Sequence, residues 1–161
     1  MKTTIEEAKE NIHNDLVDNL QSLLEKNYDA EKGFKKALED TDNPNLKEYL
    51  KFQAVKRNRF ATELDKHIHD LNEKPIEKGS SAGDLHRAWI DIKTAFTNND
   101  SEAVLEECIR GDKNSIKEYE EKLNKYNYPT EIKSTLLTQL SEIKETVHNI
   151  KKLEDLNTNW Q

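Results

Sequence analysis

The stretch 105–123, LEECIRGDKNSIKEYEEKL, constrains the fold more than any other part of the chain. At helical spacing Leu105, Cys108, Ile109, Ile116, Tyr119 and Leu123 form one apolar stripe, and Asp112 stands inside it. The layout recurs 85 residues earlier, where Leu20, Leu24, Asn27, Phe34 and Leu38 hold the places of Leu105, Ile109, Asp112, Tyr119 and Leu123. A second correspondence, offset by 86, sets Gln53, Ala54, Arg57 and Leu64 against Gln139, Leu140, Ile143 and Ile150. Helices that carry a polar residue at the same depth of an apolar stripe predict two helix-pair halves of one bundle.

The totals agree with that reading. A chain of 161 residues fits one domain that buries roughly 70% of its unfolded surface. Hydrophobic residues make up 34% and charged residues 35%, with four Gly and three Pro, which favours long amphipathic helices over a sheet protein. Helical spacing through the middle of the chain argues against disorder. The net charge of −7 removes electrostatic support for sequence-independent nucleic-acid binding. No apolar run is long enough for a membrane span, and the opening MKTTIEEAKEN has no signal-peptide core. The single Cys108 excludes an internal disulfide and fits a reducing compartment. A soluble cytoplasmic protein with neither nucleic acid nor membrane as partner is expected.

Along the chain, Thr3 and Thr4 with Glu6 and Glu7 predict a capping box. The helix that follows runs through Ile5, Ile12, Leu16, Leu20, Leu23, Asn27, Phe34 and Leu38 to the stop at Asp42-Asn43-Pro44. Residues 1–14 have few apolar anchors and read as an arm or a helix extension, with the bundle over 15–157. Helix two covers about 45–71, with Leu50, Ala54, Arg57, Ala61, Leu64, Ile68 and Leu71 on its stripe and Phe52 and Phe60 widening it. Arg57 stands where that pattern calls for an apolar side chain. Residues 72–81 are breaker-rich, and 83–96 predict a short extra helix with Leu85, Ala88, Trp89, Ile92 and Phe96 on one face. Asn98-Asn99-Asp100-Ser101 is a turn and N-cap for helix three, which ends near Asn124. Leu136, Leu140, Ile143, Val147 and Ile150 mark helix four. Short turns within each half force antiparallel neighbours, and the long middle segment allows a crossover.

These residues carry a resemblance. Asn27-Tyr28-Asp29 with Gly33-Phe34, then 57–64 (RNRFATEL), then 83–89 (GDLHRAW), then Leu105-Glu106-Glu107-Cys108 with Gly111-Asp112 and Tyr119, are similar to the bacterial family of domain of unknown function 2383. The similarity runs over roughly 15–155. It implies an all-α, ferritin-like antiparallel four-helix bundle with a long crossover that contains the short extra helix. It implies no activity.

Ferritin-like metal centres take one Glu from each of two helices and a Glu-x-x-His pair from each of the other two. In metal-binding members that the family resembles, the Glu of helices one and three stands about seven residues before an aromatic. This chain has Asn27 before Phe34 and Asp112 before Tyr119, while Arg57 takes the corresponding depth of helix two. Only helix four offers a pair, Glu145 and His148, and in a chain with this much Glu it reads first as two solvated neighbours on a polar face. The expectation is therefore a degenerate centre without a cofactor, in which Asn27, Arg57 and Asp112 form a polar core in place of the metal. An isolated buried guanidinium costs several kcal/mol, so Arg57 pairs with Asp112 or extends along its aliphatic stem to water. The alternative is a reduced iron or manganese site at Glu145 and His148 running oxidative or peroxide chemistry.

Other groups read more plainly. Glu63, His67 and His69 belong to a solvated face. Cys108 with His86 matches a thiol nucleophile only formally, because Cys108 lies on an apolar stripe. His86 and Arg87 cap the extra helix or bind a small anion at its start, and Tyr119 and Phe34 are core aromatics. The functional expectation is a non-catalytic structural or binding role, a stress-related one included. Self-association, most simply as a dimer, is expected through exposed apolar residues on the crossover or helix one.

Overall fold

The computed structural model describes residues 1–81, 84, 94, 97, 98 and 100–157. Four long helices and one short 3-10 helix account for almost all of them, with no strand among the described residues. Helix α1 spans Thr4–Asp40, α2 Pro44–Asp70, α3 Ser101–Lys125 and α4 Thr130–Asn149; the 3-10 helix is Leu153–Asn157. None of the described helices is long and apolar enough to cross a membrane.

Local chemistry sets the starts. Thr3 accepts the Glu6 amide while the Glu6 carboxylate accepts the Thr3 amide, the reciprocal box read from the sequence. Asn43 accepts the Leu46 amide at 3.0 Å and Pro44 occupies the first turn, where its missing N–H costs nothing. Asp100 caps α3 through the Ala103 amide at 3.1 Å. At the other end of α2, Asn72 takes a φ of 61°, the left-handed conformation that an Asn tolerates better than a branched side chain.

Two apolar clusters make the core. One joins Leu20, Leu23 and Leu24 of α1 to Phe60, Leu64 and Ile68 of α2, Tyr119 of α3, and Ile132, Leu136 and Ile143 of α4. The other joins Phe34 and Ala37 of α1 to Leu46, Tyr49 and Leu50 of α2 and to Val104, Leu105 and Cys108 of α3, closed by Ile150 and Leu156. The order of these residues gives the helix directions: α1 and α4 run from the first cluster to the second, and α2 and α3 run back. The turns 41–43 and 126–129 therefore join antiparallel neighbours. α2 ends at the end of the bundle where α3 also ends, so Asp70 and Ser101 lie a bundle length apart. The segment that leaves α2 begins along α1: Gln21 Nε2 donates to the Lys74 carbonyl, Gln21 Oε1 accepts the Ile76 amide, and the Asp29 carboxylate accepts the amide and hydroxyl of Ser80. Gly79 is needed at that crossing, because a Cβ would collide with the Asp29 carboxylate.

Several expectations change in detail. Of the two readings of residues 1–14, an arm or a helix extension, residues 4–14 take the second: they are the first turns of α1, exposed up to residue 12. Phe52, expected to widen the α2 stripe, is 39% exposed, and Lys56 is buried instead. The cause is α4, which passes over that side of α2 and receives the Lys56 ammonium on Thr146 Oγ1 at 2.6 Å. The 3-10 helix was not foreseen, because five residues are too few for a helical period to register; it delivers Leu156 to the core. Most of the expected extra helix over 83–96, with His86, Arg87 and Trp89, lies outside the described residues.

A buried polar layer as the candidate functional site

Between the two apolar clusters lies a layer of polar side chains drawn from all four helices. At its centre is Arg57 of α2, only 1% exposed. Its Nη2 donates to Asp112 Oδ1 at 2.8 Å and to Ser115 Oγ at 3.0 Å, both on α3, and its Nη1 donates to Asn27 Oδ1 of α1 at 3.0 Å. Asn27 and Asp112, the paired residues of the internal repeat, thus hold one guanidinium from opposite sides. Burial makes this pairing obligatory: Asp112 is 2% exposed, and neither charge has solvent to fall back on.

The layer continues away from the ion pair. Asn27 Nδ2 donates to the Leu23 carbonyl at 2.8 Å and to the Tyr119 hydroxyl at 2.9 Å. That hydroxyl donates to Gln139 Oε1 of α4 at 2.6 Å, and Gln139 Nε2 donates to the Phe60 carbonyl and to Glu63 Oε1. An unbroken path of hydrogen bonds therefore runs from Asp112 through Arg57, Asn27, Tyr119 and Gln139 to Glu63 at the surface. Burial pushes the Tyr119 phenol up to about 12, so it remains a neutral donor. Tyr49, on the other side of Asp112, is raised well above the ordinary tyrosine value by burial and then by that carboxylate. Two buried atoms of α2, Gln53 Oε1 and Arg57 Nε, have no hydrogen-bond partner among the described residues.

The chemistry of this donor set does not suit a metal. One carboxylate, one amide, one hydroxyl and a guanidinium meet at the centre, and the guanidinium already carries the positive charge that the carboxylate balances. Among the described residues no group of three His, Cys, Asp or Glu side chains is arranged to hold an ion. Glu145 and His148 are both exposed on α4 and point away from the layer. His148 lines a surface groove together with Lys113, Lys144 and Lys151, cationic company that opposes a bound cation. Cys108 is buried, and burial raises its thiol far above the ordinary value, the reverse of what a nucleophile needs. Its formal partner His86 lies outside the described residues. Glu63 and His67 have protein partners at the α2–α4 seam, Gln139 and Thr135, and His69 lies near Asp65 on the outer face of α2.

Sequence reasoning placed Asn27, Arg57 and Asp112 at one depth, and the structure brings all three together. It missed Ser115, the hydroxyl role of Tyr119, and Gln139. The available signal was Gln139 beside Leu140 at the position matching Gln53, a polar residue on a core face in both halves.

No curated protein matches the chain. A family model for a domain of unknown function matches residues 15–125, from about three turns into α1 to the end of α3, a narrower span than the 15–155 expected, and one that omits α4. The residues that grip Arg57 all lie within it, and on that match the chain belongs to the family of domain of unknown function 2383.

Proposed function

We propose that this protein is a ferritin-like bundle whose metal position has been taken by an internal ion pair, and that it serves a non-catalytic structural or binding role in the cytoplasm. The observation that carries the reading is the Arg57 guanidinium, buried at bundle mid-height with Asp112 and Asn27 on either side. The crossover that returns the chain to the start of the second helix pair is the connectivity of ferritin-like folds. A fixed cation at that depth does electrostatically what a bound ion does, without open coordination positions for dioxygen or peroxide. The layer then sets the vertical register of four helices, as single buried polar residues do in coiled coils.

The test is elemental analysis of protein purified without a metal-affinity tag. Less than a tenth of an equivalent of iron or manganese is expected (a working threshold on the order of 10% occupancy). Stoichiometric iron or manganese that is lost on His148→Ala would replace this reading with oxidative chemistry at a reduced site around Glu145 and His148.

A further inference from the structure

Among the described residues two surfaces lack partners, and they complement each other. The first is the start of α1. From Thr4 to residue 12 the helix stands clear of the bundle, with Ile5 70% and Ile12 65% exposed one heptad apart. His13 Nε2, bonded to Glu73 Oε1, marks where the bundle begins. Glu6, Glu7, Glu10 and Asp15 against Lys9 make this end acidic, with Lys2 already paired to Glu10. An isolated helix of this length is marginal in water, and its apolar side chains face nothing among the described residues.

The second is a groove of about 590 Å³ between α3 and α4. Its floor is Ile109, Ile116 and Val147, and its rim is Lys113, Lys144 and Lys151. Ile109 and Ile116 repeat the seven-residue spacing of Ile5 and Ile12. Lys144 has a carboxylate at 3.8 Å, from Glu120, while Lys113 and Lys151 form no ion pair among the described residues. In a chain of net charge −7, a cationic rim over an apolar floor selects an acidic amphipathic helix. The exposed stretch of α1 rises about 13 Å and the groove extends about 10 Å along α3, so the lengths match.

We propose that the first turns of α1 of one copy lie in the α3–α4 groove of a second copy, with Ile5 and Ile12 on Ile109, Ile116 and Val147 and the glutamates against the lysines. The two surfaces differ, so the contact is heterologous: it closes by reciprocal exchange into a dimer or by rotation into a ring. It does not depend on what the polar layer does.

Sedimentation velocity over roughly 1–100 μM tests it, the range in which a contact of this size associates. Wild-type protein is expected to assemble, and to dissociate as ionic strength approaches about 1 M. Ile5→Glu/Ile12→Glu and Lys113→Glu/Lys151→Glu are each expected to sediment as monomers with wild-type helicity, because all four positions lie outside the core. Mixed in equal amounts, the two variants should form a 1:1 dimer that grows no further, the intact α1 start of one filling the intact groove of the other. Three results would overturn the assignment: a monomeric wild type, wild-type assembly by either variant, or a mixture that stays monomeric. A monomeric wild type whose groove takes up a fluorescent fatty acid, and loses it on Lys113→Glu/Lys151→Glu, would give the groove to an anionic amphiphile instead.

Discussion

Replacing Arg57 by alanine removes every link between Asp112, Ser115 and Asn27 at once. Asp112, 2% exposed, keeps a charge without a counter-ion, and Asn27 Oδ1 loses its donor. Breaking a buried pair from one side costs about 3–5 kcal/mol. Stability for a domain of this size is of order 5–15 kcal/mol, so Arg57→Ala should lose about a fifth of it or more. Asp112→Leu should cost a similar amount, since it strands the guanidinium. Arg57→Met/Asp112→Leu removes both charges and leaves a few unpaired neutral atoms, so it should lie within about 2 kcal/mol of wild type or above it. Urea unfolding followed by circular dichroism gives all four corners of this cycle, with the slope checked for two-state behaviour. The expected coupling is about 3 kcal/mol or more. Additive single losses, with a coupling below about 0.5 kcal/mol, would mean that the two charges do not meet in a dry interior, and the account of the polar layer would fall.

Other consequences are as open to measurement. Burial lowers the Lys56 ammonium from 10.5 to about 8, with Asp112 opposing that shift. The unfolded chain therefore holds this proton between about pH 8 and 10.5 where the folded one does not, so the contribution of Lys56 to stability rises with pH across that window. Lys56→Met should stabilise by about 1–3 kcal/mol at pH 7 and by progressively less toward pH 10; a gain that ignores pH would contradict the burial argument. Tyr119→Phe leaves Gln139 Oε1 without its donor and should cost about 1–3 kcal/mol in the same urea assay, and a neutral result would mean the hydroxyl path is not used. Gly79→Ala forces the crossover away from Asp29 at a cost of about 1–3 kcal/mol, with faster amide exchange at Ser80; unchanged exchange there would argue against the close approach.

The candidate site was partly legible in the sequence. Asn27, Arg57 and Asp112 each interrupt an otherwise apolar stripe, and an interruption is visible because the period around it is regular. Ser115 and Gln139 were not visible as members, because a small hydroxyl or an amide is as common at the edge of a stripe as within it. Lys56 was not singled out for a related reason: a lysine beside a stripe reads as solvated, and only α4 crossing over it makes it buried. Glu145 and His148, read first as two solvated neighbours on a polar face, are both exposed. Their spacing of three puts both on one side of a helix, but says nothing of which way that side turns, and it turns outward.

Periodicity and capping chemistry determined the four helices, their stops and the depth at which polar residues interrupt the core, because these are properties of one chain segment at a time. Which atoms meet at that depth was decided by tertiary structure alone. Rotation and vertical register of a helix are settled only when all four pack together, and a hydrogen bond closes or fails over a few tenths of an ångström. That is why one arginine could be foreseen at the centre of the bundle, while the tyrosine and glutamine that carry its network to the surface could not.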